Sequence, residues 1–290
     1  MQQMEPVQFT INGRPVQGAP EETVLSAARR LNIQIPTLCH HEAIKPHGSC
    51  RLCVVEVFWG SRSKLVTSCI YTPYENDRIE TDNERVHKIR RLVLELLLAR
   101  CPEAEAIGRL AREYGVEAVR YGEESNREAR CILCGLCVRV CDEVIGQQAI
   151  GYEDRGMARS IAAPFREPAK ACIGCGACVR ICPTGALHYE DAQDARLMKE
   201  FNTSVPMAEC SACGVRYAPV ALIEKVNRRV KREDNEIPLC PPCRRRISSE
   251  RLSTWRSKFS SDNGDRGRRL MARVAVVPPG IRALEKDDNA

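Results

Sequence analysis

The sequence has few aromatic residues, no long apolar run and no start typical of a secretory signal. Aromatic side chains make up 5% of the 290 residues, which agrees with small rather than large cores. The longest apolar run, Leu92 to Ala99, contains Glu95 and is far too short to cross a membrane. The start, MQQMEPVQFTING, lacks a basic segment followed by an apolar one. We therefore expect a cytoplasmic chain without a membrane span.

The sequence also lacks a G-x-G-x-x-G segment after a strand pattern, so we expect no dinucleotide site and no catalytic site of the chain's own. What the chain has in excess is cysteine, with 17 residues. In a reducing compartment, dense cysteine indicates metal or redox chemistry rather than a disulfide framework.

Two nearly identical cysteine runs predict a pair of [4Fe–4S] clusters. The segments CILCGLCVRVC (131–141) and CIGCGACVRIC (172–182) share the spacing C-x2-C-x2-C-x3-C. Two zinc sites are the alternative, but zinc usually takes two separated C-x2-C pairs. The spacing is that of bacterial two-cluster ferredoxins, in which the fourth cysteine of each run ligates the other cluster. The predicted ligands are Cys131, Cys134, Cys137 and Cys182 for the first cluster, and Cys141, Cys172, Cys175 and Cys178 for the second.

A different iron–sulfur site precedes these runs. Four cysteines with one tight C-x2-C pair suit a [2Fe–2S] cluster, with zinc as the alternative. VQFTINGRPVQG predicts a hairpin, EETVLSAARRLNI a helix and CVVEVFW an alternating strand, which together predict a ferredoxin-like β-grasp. Nearby histidines also allow a Rieske site, but since four cysteines are present we expect the histidines not to be ligands. The predicted ligands are Cys39, Cys50, Cys53 and Cys69, and the histidines are His40, His41 and His47.

The order of these motifs resembles one family of respiratory proteins. IPTLCHHEAIKPHGSCRLCVVEV, RRLVLELLLA, RCILCGLCVRVCDEV and CIGCGACVRICPTGAL follow one another within about residues 5 to 192. This order resembles the N-terminal part of the large iron–sulfur subunit of complex I and, more closely, the small diaphorase subunit of NAD-reducing hydrogenases. The resemblance implies a chain of clusters that relays electrons from a separate flavin- and NAD-binding subunit.

The chain departs from that family after LLLA, where the family carries a further H-x3-C-x2-C-x5-C motif. Here the sequence reads LLLARCPEAEAIGRLAREYG and keeps only Cys101. We therefore expect the family's one-histidine, three-cysteine cluster to be absent and Cys101 to be a buried, inert thiol. The shorter electron route favours a smaller soluble assembly over membership of complex I.

The last four cysteines form C-x2-C-x26-C-x2-C. Two separated pairs suit one tetrahedral zinc ion, and a further iron–sulfur cluster is the alternative. The candidate ligands are Cys210, Cys213, Cys240 and Cys243.

These patterns predict an α+β chain of small domains whose metals supply much of the folding energy. We expect a [2Fe–2S] domain at 1–80, a helical linker at 81–125 and a two-[4Fe–4S] ferredoxin domain at 126–192. A four-cysteine, zinc-ribbon-like module at 205–248 and a basic, flexible tail at 249–290 complete the prediction.

The predicted function is electron relay within a multisubunit oxidoreductase. The partners would be a flavin/NAD(H)-binding, diaphorase-type subunit and a catalytic subunit such as a hydrogenase or formate dehydrogenase. The alternative is a redox- or iron-sensing regulator that uses the zinc module and the basic tail to bind nucleic acid. The net charge is +6, but aromatic residues do not interleave the basic ones. We therefore expect either a solvated tail or a docking surface for an acidic partner subunit, and we expect no nucleic acid.

Overall fold

The computed structural model describes residues 6–121, 130–230 and 239–262. The chain divides into two compact units. The first unit comprises Met1–Met207 and Pro219–Val226, and the second comprises Ala208–Ala218 and Asn227–Ala290. Among the described residues, none of the helices combines the length and the apolar character that a membrane crossing needs.

A five-stranded mixed sheet forms the N-terminal part of the first unit. The strands are β1 (Val7–Ile11), β2 (Arg14–Gly18), β3 (Val54–Trp59), β4 (Arg62–Thr67) and β5 (Arg78–Glu80), in the spatial order β2-β1-β5-β3-β4. The predicted hairpin joins β1 to β2 through Asn12 and Gly13, which both have positive φ as such tight turns require. β1 and β5 are parallel, and the other neighbours are antiparallel.

Helix α1 (Val24–Arg30) packs its apolar face into the core of this sheet. The hydroxyl of Thr23 caps the helix by accepting the N–H of Ser26. β3 does not show the predicted alternation of buried and exposed residues: residues 54–57 are all buried. One reason is that β3 also packs against helix α2 (Glu84–Arg100), so that neither face of its first half meets solvent.

Helices α2 and α3 (Glu105–Glu113) lie in the predicted linker and pack against each other. Asn83 caps α2 by accepting the N–H of Val86. Both helices share a core with the loop around the first cysteines and with the first cysteine run. Its apolar members include Leu38, Ile44, Leu52, Leu94, Ile107, Leu136 and Val140. The regions predicted as separate domains at 1–80 and 126–192 therefore share a core within the described residues.

The rest of the first unit is built from short elements. They are α4 (Leu136–Arg139), a π-helical turn (Val140–Val144), β6 (Gly151–Glu153), β7 (Ser160–Ala162), α5 (Ala177–Ile181), β8 (Glu190–Asp191), β9 (Ala195–Met198) and β10 (Thr203–Glu209), whose last two residues belong to the second unit. β6 and β7 form the two-stranded insertion that the sequence predicts between the two cysteine runs. β9 pairs antiparallel with β8 on one side and with β10 on the other.

The C-terminal elements differ from the predicted module at 205–248. They are β11 (Arg216–Pro219), α6 (Val220–Arg229) and α7 (Pro241–Asp262). Residues 219–226 belong to the first unit, where the Lys225 ammonium donates to the Ile145 carbonyl. α7 runs through the predicted boundary at 248, so residues 249–262 are helical. Proline is tolerated in the first turn of a helix, and no glycine follows until Gly264. Residues 263–290 lie outside the described part of the chain.

Candidate metal centres

The four cysteines of the predicted [2Fe–2S] site are all buried and lie together. A hydrogen bond between the thiols of Cys39 and Cys50 raises the pKa of Cys39 and lowers the pKa of Cys50 to about 6. The same pairing between Cys69 and Cys53 raises the pKa of Cys69 and lowers the pKa of Cys53 to about 7. Cys69 also interacts electrostatically with Cys39 and Cys50. The two pairs therefore form one group of four sulfur atoms.

A second group joins the first cysteine run to the last cysteine of the second run. Burial raises the pKa of Cys134 to about 11, and the nearby Cys182 thiol adds to the rise. Burial likewise raises the pKa of Cys137, whose neighbours include Cys131, Cys134 and Cys182. The structure thus brings Cys182 to the run at 131–137.

A third group lines a cavity. Cys141, Cys172, Cys175 and Cys178 surround it together with the apolar side chain of Met198. Burial raises the pKa of Cys178 to about 12 and also raises the pKa values of Cys141 and Cys172. Cys141 belongs to the first run in sequence, but it lies with the first three cysteines of the second run in space.

Backbone N–H groups donate to sulfur atoms in each of these three groups. The donor and acceptor residues are Cys50 to Cys39 at 3.3 Å, Leu133 to Cys131 at 3.4 Å, Ala149 to Cys141 at 3.4 Å, Gly174 to Cys172 at 3.4 Å and Ala186 to Cys182 at 3.2 Å. Hydrogen bonds of this kind stabilise thiolates and tune metal-bound sulfur. Four thiols in each group, with N–H donors aimed at sulfur, are a donor set that fits iron–sulfur clusters.

A glycine and a tyrosine meet beside each of the two predicted [4Fe–4S] sites. Gly135 precedes α4 with φ of 74°, and Gly176 precedes α5 with φ of 71°. A Cβ atom at Gly135 would collide with the Tyr152 hydroxyl, and one at Gly176 would lie 2.9 Å from the Tyr189 ring. Left-handed backbone and close packing both require glycine here. The cysteine spacing does not predict either tyrosine contact. The sequence does show one sign of it, because a tyrosine follows each cysteine run.

The second unit contains the four cysteines of the predicted C-terminal site. The Sγ atoms of Cys210, Cys213, Cys240 and Cys243 all lie within 4.8 Å of one another. The Sγ atoms of Cys213 and Cys240 are 3.7 Å apart. The Cys240 N–H donates to the Cys210 sulfur at 3.3 Å, and this bond is the largest of several that together lower the pKa of Cys210 to about 6. The four thiols form a metal site.

The histidines and the seventeenth cysteine have separate places. His40 is half-buried, its Nδ1 atom has no hydrogen-bond partner within the described residues, and burial lowers the pKa of His40. His41 and His47 are exposed. Cys101 is fully buried, as predicted, and its sulfur donates to the Cys131 carbonyl at 3.0 Å.

Three protein-family models match the chain. Residues 4–84 match a 2Fe-2S iron–sulfur cluster binding domain. Residues 124–188 match the ferredoxin-like domain of NADH-quinone oxidoreductase subunit 3, and residues 171–236 match a 4Fe-4S dicluster domain. The chain therefore contains one 2Fe-2S domain and two matches to 4Fe-4S ferredoxin domains, as the cysteine motifs predict.

Curated relatives include subunits of large oxidoreductases. The alpha subunit of NADPH-Fe(3+) oxidoreductase from Geobacter sulfurreducens is 35% identical over 178 residues, which cover 53% of this chain and 21% of that subunit. A subunit of NADH-quinone oxidoreductase from Rhizobium meliloti is 32% identical over 179 residues, with the same coverage. The mitochondrial NADH-ubiquinone oxidoreductase 78 kDa subunit of Candida albicans is 29% identical over 174 residues, 52% of this chain and 24% of that subunit. The chain thus matches about a fifth of the length of these relatives.

A solved structure provides a more complete match. One chain of an NAD+-reducing [NiFe]-hydrogenase, crystallised in the H2-reduced state, is 31% identical with a TM-score of 0.54. The match covers 64% of the present chain and 88% of the hydrogenase chain. The ordered cluster motifs, the domain matches and these relatives agree. The chain belongs to the family of iron–sulfur subunits that is found in complex I-type NADH-quinone oxidoreductases and in NAD+-reducing hydrogenase.

Proposed function

We propose that the chain is an electron-relay subunit that passes single electrons through three iron–sulfur clusters. The observation that carries this proposal is the adjacency of the three thiol groups in the first unit. Cys134 of the second group lies in one core cluster with Cys50 of the first, and Cys137 of the second group lies in another with Cys178 of the third. Because one-electron transfer needs closely spaced centres, this order supports a route from the [2Fe–2S] cluster to the first cubane and then to the second.

The proposed ligands are the ones that the cysteine spacing predicts. The [2Fe–2S] domain, which we propose is a β-grasp, uses Cys39, Cys50, Cys53 and Cys69. The first cubane uses Cys131, Cys134, Cys137 and Cys182, and the second uses Cys141, Cys172, Cys175 and Cys178. The groupings described above support this crossed assignment, in which each run supplies three ligands to one cubane and one ligand to the other.

The C-terminal site is proposed to hold one zinc ion. Zinc–sulfur bonds of about 2.3 Å in a tetrahedron place neighbouring sulfur atoms about 3.8 Å apart. The separation of 3.7 Å between the sulfur atoms of Cys213 and Cys240 fits that value. In a cubane each thiolate binds a different iron, so its four sulfur ligands lie further apart. The iron–sulfur alternative has the support that the dicluster match runs to residue 236, but that match includes only two of the four cysteines.

Electrons are proposed to enter from a flavin- and NAD(H)-binding partner and to leave to a catalytic partner such as a hydrogenase or formate dehydrogenase. The names of the relatives support this assignment, because each joins a nicotinamide nucleotide to a different electron acceptor or donor. A flavin can take a hydride and release its electrons one at a time, whereas iron–sulfur clusters take electrons singly. Catalysis therefore belongs to the partners, and this chain connects them.

Cluster reduction by NADH tests the relay. The anaerobically reconstituted chain is mixed with NADH, with or without a flavin-containing diaphorase, and the cluster absorbance is followed. We expect bleaching only when the diaphorase is present. Bleaching of the flavin-free chain by NADH alone would show a hydride acceptor within the chain. If dithionite reduces the clusters but NADH with the diaphorase does not, the proposed entry of electrons from a flavoprotein is wrong.

A further inference from the structure

The tyrosine beside each cubane site carries an arginine on its ring. In both cases the arginine follows the tyrosine by seven residues. The guanidinium carbon of Arg159 lies 4.1 Å from the centre of the Tyr152 ring, and that of Arg196 lies 4.0 Å from the centre of the Tyr189 ring. Cation–π stacking of this kind holds a guanidinium group against a ring. Because each ring packs on the glycine that begins a ligand-bearing helix, a positive charge is placed behind each cubane loop.

Arg196 makes further contacts that Arg159 does not share within the described part of the chain. Its Nη1 atom donates to the carbonyl of Gly174 at 2.8 Å. Gly174 lies between Cys172 and Cys175, so this bond ties the guanidinium group to the second ligand loop. The Arg196 side chain is 11% exposed, whereas Arg159 is exposed.

Asp191 fixes the direction of the Arg196 side chain. The Nε and Nη2 atoms of Arg196 donate to the two carboxylate oxygens of Asp191 at 2.6 and 2.8 Å. Two parallel bonds to one carboxylate hold an arginine in one orientation and also offset part of its charge. Arg196 also interacts electrostatically with Cys175, a ligand of the second cubane.

We propose that Arg196 is a positioning residue that holds the second cubane's ligand loop and raises the reduction potential of that cluster. This inference rests on the proposed electron relay. Reduction adds a negative charge to a cluster, and a nearby cation that is shielded from water stabilises the reduced form. Asp191 opposes this effect, because its carboxylate lies beside the same guanidinium group. The second cubane is thereby tuned separately from the first, whose arginine is exposed to solvent.

Redox titration of the two cubanes, followed by low-temperature EPR, tests the assignment in the reconstituted full chain. In Arg196→Gln we expect the ratio of reduced to oxidised second cubane to fall about tenfold at a fixed potential, which is about 59 mV for a one-electron couple. In Asp191→Asn we expect that ratio to rise. The first cubane should keep its midpoint potential in both variants. Arg159→Gln is the matched control, and it should leave the second cubane unchanged.

The opposite signs of the two shifts separate electrostatic tuning from simple damage to the loop. If Arg196→Gln loses the second cubane, Asp191→Asn still carries the test, because it keeps the arginine. A second cubane whose potential is unchanged in Asp191→Asn, or changes in the same direction in both variants, would overturn the role of Arg196. An unsubstituted chain that forms only one cubane would instead overturn the proposed relay itself.

Discussion

At the scale of single residues, Cys141 tests how the two proposed cubanes are held. It belongs to the first run in sequence and lines the cavity with Cys172, Cys175 and Cys178. We expect Cys141→Ala to abolish or alter the EPR signal of the second cubane, because that cluster loses one of its four thiolates. The cubane of Cys131 should remain as long as the protein stays folded.

Two other cysteine substitutions are the controls for Cys141→Ala. Cys178→Ala should affect the same EPR signal as Cys141→Ala, and Cys134→Ala should affect the other one. A Cys141→Ala spectrum that matches Cys134→Ala would show that each run closes on its own cluster. The spectra must come from folded protein, because metal loss and unfolding are coupled in small metal-binding domains.

Gly176 tests the contact between the second ligand loop and its tyrosine. An alanine there must adopt a left-handed backbone, which costs about 1–2 kcal/mol, and its Cβ would also lie 2.9 Å from the Tyr189 ring. We expect Gly176→Ala to lower the occupancy of the second cubane, measured by EPR spin quantification. Gly185→Ala is the matched control, because Gly185 also has positive φ but a Cβ there meets no atom within 4 Å. Equal loss in both variants would argue against a specific role for the tyrosine contact.

The sequence predicts the candidate cysteine ligands but not the residues that pack against their loops. Cluster ligands are recognisable because their spacing within a run is set locally by the loop that wraps the metal. Tyr189 and Arg196 reach the second loop only through the turns and short strands that follow it. Their contact depends on the three-dimensional path of the chain, which no short motif specifies.

At the scale of secondary-structure elements, Glu56 links β3 and β4 to the start of α2. Its carboxylate accepts hydrogen bonds from Ser63 at 2.7 Å, Arg85 at 2.6 Å and Asn83 at 2.9 Å. Burial alone would raise the pKa of Glu56, but these three bonds outweigh it and hold the pKa below its ordinary value.

The lowered pKa of Glu56 predicts a pH-dependent contribution to stability. The contribution is complete above the unfolded-state pKa of about 4.3 and is lost as the pH falls through the lower folded-state value. We expect Glu56→Gln to reduce the free energy of unfolding by about 1–2 kcal/mol at pH 7, and the difference from the unsubstituted chain to shrink below about pH 4. Urea unfolding followed by circular dichroism measures both effects.

The matched control for Glu56→Gln is Glu190→Gln. Glu190 is exposed and pairs with Lys199 at 2.6 Å, and an exposed ion pair contributes little to stability. Both variants keep the same clusters, so acid damage to the clusters affects them equally. If Glu56→Gln and Glu190→Gln lower the free energy of unfolding by the same amount at pH 7, the buried hydrogen bonds of Glu56 do not provide the expected stability.

The elements also show which domain boundaries could not be predicted from the sequence. The hairpin, α1 and the insertion between the cysteine runs are local patterns, and the structure has all three. The division of the chain into two units, by contrast, does not follow from local sequence patterns. The sequence places α6 between the two pairs of the C-terminal site, yet residues up to Val226 pack with the first unit because Lys225 and Pro219 contact the cubane region. Basic composition suggests a flexible tail after 248, but the absence of helix-breaking residues from 243 to 262 allows α7 to continue.

At the scale of the whole molecule, metal content tests all the assignments together. The reconstituted chain should contain about ten iron atoms and about one zinc ion, if the three clusters and the C-terminal site are as proposed. Iron and zinc are measured on the same folded sample by elemental analysis, with acid-labile sulfide as a second count of the clusters. A chain with about fourteen iron atoms and no zinc would hold a further cubane at the C-terminal site. About six iron atoms or fewer at full occupancy would contradict the pair of cubanes.

Cys213→Ser separates the zinc site from the clusters in the same measurement. Cys213 is the exposed member of the C-terminal group, so its hydroxyl replacement removes one zinc ligand with little effect on buried packing. Structural zinc needs four good ligands, and serine is a poor one. We therefore expect this variant to lose most of its zinc while it keeps its iron, because the proposed cluster ligands all belong to the first unit. A parallel loss of about four iron atoms would show instead that Cys213 ligates a cubane.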